Sequence, residues 1–168
     1  MGDVITMKAL YNSYNAGRDV QARVVHSGSR ALVLEEVAAP RSRTMDADHR
    51  AIGEEFDRVQ YPLLRDNIGD PLAMNGAMNG DGRVTLLVKR FVNDSAAGTA
   101  GYVSACNFYL KSTFAVSNEN EVFYARVATL NESPSDWRRA MRSTVMHEGK
   151  HLASFAERLA ANLPCEES

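Results

Sequence analysis

Three stretches in the first forty residues have the apolar and β-branched content of strands. They cover residues 4–10, 20–25 and 31–37. The segment between the second and the third, residues 26–29, reads His-Ser-Gly-Ser and has the composition of a turn. The pattern therefore predicts that the second and third strands form a hairpin, after which Pro40 interrupts the alternation.

A helix is predicted after this strand region. Thr44 is a suitable N-cap, and acidic residues follow in the first turn, where the helix dipole favours them. Apolar residues at positions 52, 56, 59 and 63 recur at helical spacing. We expect Pro62 to kink or end this helix and the Gly-Asp-Pro run at 69–71 to close it. Residues 74–83, with three glycines, predict a turn.

The last third of the chain predicts further strands and one long helix. Residues 84–92, 102–114 and 122–127 have strand composition. Ser133 as N-cap and Pro134 at the first helical position mark the start of the helix. Its apolar face continues to about Asn162, and Pro164 stops it. Seven residues at helical spacing make up that face: Trp137, Met141, Thr144, Glu148, Leu152, Phe155 and Leu159.

This order of elements predicts an α+β fold in a single domain over residues 1–168. We expect an N-terminal mixed or antiparallel sheet, one helix packed on it, and the long C-terminal helix. The chain is 45% hydrophobic and 24% charged, as expected for a globular protein with a core. A net charge of −2 excludes the basic footprint of a nucleic-acid-binding protein. We also expect no transmembrane segment, since no run of 18 apolar residues occurs, and the chain does not start with a signal-peptide pattern.

The long helix contains the motif H-E-x-x-H, at residues 147–151. Residues four apart on a helix are separated by about 40° and roughly 6 Å, so His147 and His151 point to the same side. Two imidazoles in this arrangement can bind one zinc ion. Glu148 lies beside that position and can take a proton from a water molecule that the metal has acidified. The motif predicts peptide-bond hydrolysis, with His147 and His151 as zinc ligands and Glu148 as general acid/base.

Catalytic zinc needs a third protein ligand, and the sequence offers no clear one. Glu157 stands ten residues after His147, but on an unbroken helix it lies about 9 Å beyond His151 and points roughly 120° away. Glu166 and Glu167 follow the helix and fall short of the site unless the helix ends early. His26 and His49, in the predicted hairpin turn and the early helix, are expected to be ordinary surface histidines. Glu157 is the less favoured candidate, and a ligand beyond Ser168 is the simplest solution.

Several segments resemble the hyicolysin-like zinc metallopeptidases, a gluzincin group of secreted bacterial proteins. The segment STVMHEGKHL at 143–152 is similar to their active-site helix. Upstream, the segments that look like parts of this family are DGRVTLLV at 81–88, the aromatic stretch at 101–109, SNENEVFY at 117–124, and the entry hairpin at 22–25 with 35–37. Nearly the whole chain is covered, and H-E-x-x-H is the specific part of the likeness.

The resemblance implies a site, a location and a larger protein. It implies that His147 and His151 bind zinc and that Glu148 is the general acid/base. It also implies a third ligand from a Trp-Leu-x-Glu-Gly-like segment, and the tail at 165–168 looks like what precedes such a segment. The resemblance further implies a longer, exported protein with other domains, either secreted or at the periplasm or cell surface. By the same analogy the strand at 122–127 would be the edge that lines the cleft for a peptide or protein substrate.

Two hypotheses follow from these observations. The first is a zinc-dependent endopeptidase, of which this chain is the N-terminal part of the catalytic domain. The second is a non-catalytic binding or structural module derived from a metallopeptidase. The charged residue Lys150 inside the motif and the missing third ligand favour the second. Whether Cys106 and Cys165 form a disulfide stays open, because two cysteines permit one bridge or none.

Overall fold

A computed structural model describes residues 2–10, 17–78, 80–95 and 98–161. Six strands form one sheet in the order β1-β2-β3-β4-β6-β5. The strands are β1 (Val4–Leu10), β2 (Gly17–Ser27), β3 (Ala31–Glu36), β4 (Val84–Lys89), β5 (Gly101–Val103) and β6 (Val122–Arg126). β1, β2 and β3 are antiparallel neighbours, β3, β4 and β6 run parallel, and β5 is antiparallel to β6. The α+β prediction and its mixed sheet are therefore confirmed.

The helices are α1 (Asp46–Glu55), α2 (Tyr61–Asn67), α3 (Phe91–Ser95) and α4 (Pro134–Ala160). The N-cap position of α1 is Met45 rather than Thr44, and no side chain caps the helix there. The Thr44 hydroxyl donates to the Arg41 carbonyl oxygen at 2.8 Å, which holds it in the preceding turn. The expected cap, and with it the start of the helix, was therefore wrong by one residue.

Pro62 does not end the early helix. The backbone widens to a π-helix over Phe56–Gln60, and the Tyr61 N–H donates to the Phe56 carbonyl oxygen five residues back. Helix α2 then continues from Tyr61 with Pro62 in its first turn. A proline in an α-helix clashes with the carbonyl four residues earlier, and the wider turn in front of Pro62 relieves that clash.

Two apolar cores lie on opposite faces of the sheet. One face carries Leu86, Val88, Phe123 and Ala125, which pack with the helices, including Trp137, Met141 and Leu152 of α4. The other face carries a smaller cluster with Leu34, Leu87, Val122 and Tyr124. Because side chains alternate across a strand, β4 and β6 contribute to both cores, and this makes β4 fully buried. The site described below belongs to the helix-covered face.

The stretch at 102–114 is not the long strand that was expected. Only Gly101–Val103 is extended, and a 3-10 turn follows at Ala105–Phe108. Asn107 fixes this turn, because its amide donates to the Tyr124 hydroxyl at 3.0 Å while its Oδ1 accepts from the Asn118 backbone N–H. Apolar and aromatic content alone suggested a strand, but buried polar contacts shape the segment.

No helix in the described ranges has the length and apolar content needed to cross a bilayer. The expected helix end near Asn162, the stop at Pro164 and the candidate ligands Glu166 and Glu167 lie outside the described residues. Within them, α4 ends at Ala160, and the N–H of Ala161 donates to the carbonyls of Glu157 and Leu159.

Candidate active site

Helix α4 is anchored at its N-terminus and lies against one face of the sheet. The Ser133 hydroxyl accepts from the Asp136 backbone N–H at 3.1 Å, as the predicted cap requires. Trp137, 1% exposed, donates its indole N–H to the Arg126 carbonyl at the end of β6. The helix then buries Met141, Val145 and Leu152 in the core. This packing fixes the directions in which the motif residues, which lie between Val145 and Leu152, point from the helix.

His147 and His151 are brought together on the outer side of α4. Their Nε2 atoms are 3.2 Å apart, and the ring centroids are 4.9 Å apart with 69° between the planes. Zinc–nitrogen bonds measure about 2.0–2.1 Å, so two nitrogens on one tetrahedral ion stand roughly 3.3 Å apart. The observed separation fits two ligands of a single zinc ion. The His147 side chain is 66% exposed, so the position is open to solvent.

Glu148 lies under this histidine pair and is buried. Its residue is 8% exposed, and its Oε1 is 4.0 Å from His147 Nε2. Burial raises the pKa of the Glu148 carboxyl, while the neighbouring histidines act in the opposite direction. A carboxyl with a raised pKa is suited to taking and returning a proton near neutral pH.

A cleft of about 250 Å³ opens beside these residues, between α4 and the edge of the sheet. Its walls are Ala100 and Gly101 on one side and Ser143, Thr144, His147 and Glu148 on the other. Strand β5, which begins at Gly101, is the end of the sheet next to the site. The expectation that the strand at 122–127 would be this edge is wrong, because β6 pairs with β4 on one side and with β5 on the other.

Sequence reasoning missed this cleft wall. Ala100 and Gly101 end a run of small residues, 95–101, that has no alternating pattern and therefore predicts a loop. Gly101 itself carries a usable signal. A Cβ there would lie 2.4 Å from the Phe123 ring and 2.9 Å from the Tyr124 carbonyl oxygen. Only glycine lets β5 approach β6 this closely.

Glu157 does not join the histidine pair. Its Oε1 accepts from the Asp70 backbone N–H at 2.8 Å, so it fastens α4 to the loop after α2. In the described parts of the chain no group of three or more His, Cys, Asp or Glu side chains is placed to hold a metal ion. The two histidines therefore provide two ligand positions, and a third ligand has to come from elsewhere.

His26 and His49 are not the surface residues that were expected. His49 is 1% exposed, and its ring lies edge-on to Trp137 with centroids 4.9 Å apart. The His26 side chain is 11% exposed, with Nε2 3.8 Å from a carboxylate oxygen of Asp57. Both histidines lie on the side of the sheet that the helices cover. The turn composition around His26 and the incomplete apolar pattern around His49 do not indicate this burial.

Comparison with known proteins shows a distant sequence similarity to a metalloprotease. No family model matches it. It is 29% identical over 124 residues to the neutral metalloprotease ShpI of Staphylococcus hyicus, a match that covers 68% of this chain and 26% of that protein. The chain thus spans about a quarter of the length of this relative. The match supports a distant, metallopeptidase-like relationship, and such a relationship implies a metal cofactor.

Proposed function

We propose that this chain carries the histidine ligands and the general acid/base of a zinc-dependent endopeptidase. The observation that carries the proposal is the 3.2 Å separation of the His147 and His151 Nε2 atoms, next to the buried carboxyl of Glu148. The same separation is that of a hydrogen bond between two imidazoles, so it is the buried Glu148 carboxyl beside the pair, in the H-E-x-x-H spacing, that favours a metal ion. The distant similarity to a metalloprotease supports the same reading.

Each motif residue has a separate task in this mechanism. His147 and His151 would hold the ion through their Nε2 atoms. When bound, zinc would act as a Lewis acid that lowers the pKa of water and so makes it a nucleophile at neutral pH. The Glu148 carboxylate accepts a proton from the attacking water and donates it to the nitrogen of the departing amine. Its Oε1, 4.0 Å from His147 Nε2, is close enough to the proposed ion for both transfers.

The substrate in this proposal is a peptide lying along the outer edge of β5. In the described ranges β5 pairs with β6 and is the last strand in the order of the sheet. A peptide in extended form can add to such an edge through main-chain contacts. The cleft between Gly101 and Glu148 would then receive the bond to be cut.

The proposal includes a third ligand and a larger protein. Since the described residues provide two ligand positions, a carboxylate from outside them would complete the site. By resemblance, the complete protein is exported, either secreted or held at the periplasm or cell surface, and has further domains.

Zinc titration of the purified chain tests the metal site. We expect one zinc per chain at micromolar concentration by calorimetry, with binding lost in His147→Ala and in His151→Ala. Glu157→Gln is the matched control and should bind zinc like the wild type, because Glu157 is engaged by Asp70. Absence of zinc binding at micromolar concentration would refute the proposal.

Substitution of Glu148 separates the enzyme from its alternative, a non-catalytic module derived from a metallopeptidase. The observation that favours the module is the presence of only two ligand positions among the described residues. In the complete protein Glu148→Gln should keep zinc affinity and reduce peptide hydrolysis by at least 100-fold, on the order expected for a general base. A complete protein that binds zinc but shows no Glu148-dependent hydrolysis of any peptide in a mixed library would support the module.

A further inference from the structure

Lys89 is buried on the face of the sheet opposite to the candidate site. It is the last residue of β4 and is 0% exposed. Three aromatic rings surround its ammonium. The Nζ atom lies 4.5 Å from the ring centroid of Phe91, 5.1 Å from that of Tyr124 and 5.8 Å from that of Tyr102. These distances are within the range of cation–π attraction.

Two of these rings belong to the strand pair that ends the sheet. Tyr102 of β5 stands opposite Tyr124 of β6, and their rings stack with centroids 4.9 Å apart and 22° between planes. The Tyr102 hydroxyl also donates to the Leu10 carbonyl oxygen at the end of β1. The ammonium of Lys89 therefore contacts both partners of this pair and links the end strand to the middle of the sheet.

Strand β5 is short, and apart from its pairing it is held by side-chain contacts, among them the stack of Tyr102 on Tyr124 and the packing of Val103 against the core. It contains three residues and pairs with β6 over Gly101, Tyr102 and Val103. Two-stranded pairings as short as this are marginal without side-chain support. Yet Gly101 is a wall of the cleft that also contains His147 and Glu148. A displacement of β5 would change the width of the cleft directly.

We propose that Lys89 is a positioning residue for the candidate active site, and that its ammonium, between the rings of Tyr102 and Tyr124, holds strand β5 and the cleft wall at Gly101 in place. The contribution to the site rests on the proposed function, since the cleft matters only if a substrate lies there. The stabilisation of β5 by Lys89 does not depend on the proposed function. Lys89 lies across the sheet from the reacting atoms and acts through Tyr102.

Hydrogen exchange of the β5 amides tests this role in the chain as it is. Lys89→Met keeps an unbranched apolar side chain and removes the charge. We expect exchange of the hydrogen-bonded β5 amides to become about tenfold faster, as loss of a partly buried cation–π contact implies. The amides of the β1–β2 pair and the zinc affinity should stay unchanged.

Two further variants make the result specific. Lys8→Met removes a partly exposed lysine of β1 whose partner is Asp19, and it should leave β5 exchange unchanged. Tyr102→Leu should loosen β5 by itself, and adding Lys89→Met should then have little extra effect, because the ring that the cation contacts is gone. If Lys89→Met does not fold, Lys89→Gln takes its place, since it also removes the charge and keeps an unbranched side chain.

Either of two results would overturn the proposal. One is unchanged β5 exchange in Lys89→Met, or in Lys89→Gln where the methionine variant does not fold. The other is faster exchange by the same factor in every strand, which would show a general loss of stability. None of these readouts involves hydrolysis, and exchange is measured without metal. A failure here is thus distinct from a failure of the zinc proposal.

Discussion

At the scale of single residues, burial next to an ionic cluster explains why the His49 ring is neutral. The Arg23 guanidinium donates to carboxylate oxygens of both Glu35 and Asp46, and Glu35 also lies 3.7 Å from His49 Nδ1. Burial lowers the pKa of His49 to about 4, and the positive charge of Arg23 adds to the shift. The ring is therefore neutral at physiological pH and packs against Trp137 as a largely apolar group.

His49 should make the fold sensitive to acid. The unfolded chain binds a proton at this residue near pH 6.5, while the folded chain binds it only near pH 4, so stability falls as the pH drops between these values. The loss is on the order of 2–3 kcal/mol in the free energy of unfolding. His49→Phe keeps a ring against Trp137 and should flatten this dependence.

Urea denaturation at pH 7.5, 6, 5 and 4.5 measures the effect. The difference in stability between the wild type and His49→Phe should be constant above pH 7 and should shift in favour of the variant below pH 6. Parallel curves over the whole range would show that burial does not hold His49 neutral. The carboxylates of Asp46 and Asp48 raise the pKa of His49 and so partly oppose the effect of burial. The quantity to compare is therefore the slope of unfolding free energy against pH, not its value at the lowest pH.

At the scale of elements, the close approach of α2 and α4 explains the glycine inside the motif. Gly149 is buried, and a Cβ added there would lie 2.5 Å from Cδ1 of Leu64, which is fully buried in α2. Glycine lowers the stability of a helix by about 1 kcal/mol relative to alanine. At this position the lower helix propensity is accepted because a glycine leaves room for the Leu64 side chain. Gly149 is therefore explained by the packing of α4 against α2.

A double-mutant cycle at Gly149 and Leu64 should show opposite signs. Gly149→Ala in the wild type forces Leu64 to move and should lower the free energy of unfolding by about 1 kcal/mol, because overpacking outweighs the gain in helix propensity. In the Leu64→Ala background the same change should instead stabilise the chain by up to about 1 kcal/mol. Chemical denaturation of the four proteins gives both values. Equal effects in the two backgrounds would exclude the packing role of Gly149.

The elements that the sequence predicts well are those with a repeated local pattern. Helix α4 has a cap, a proline in its first turn and a continuous apolar face, and its motif gives the histidine pair directly. Strand β5 has three residues and no period, so its place beside the site depends on contacts with Phe123 and Tyr124 that are distant in sequence. The π-helical turn before Pro62 lets the helix continue past the proline, although the sequence predicted a kink or an end there.

At the scale of the whole molecule, the fold places the two halves of the site on different layers. The sheet supplies a short outer strand, and α4 crosses its face so that Glu148 is buried while the imidazoles of His147 and His151 stay accessible to solvent. Both layers are fixed by cores on the two faces of the sheet. The proposed metal position therefore lies on a preformed surface of the fold, and a metal ion bound there should stabilise the folded state.

Zinc should raise the stability of the whole chain in proportion to the logarithm of its concentration. A ligand that binds only the folded state adds about 2.7 kcal/mol when its free concentration is 100 times the Kd. Thermal unfolding at increasing zinc concentration should thus show a steadily rising midpoint. His147→Ala combined with His151→Ala should remove the rise, although His26 and His49 remain. A rise that persists in this double variant would place the bound metal elsewhere, and a midpoint independent of zinc in the wild type would mean that the paired imidazoles are not a metal site in this chain.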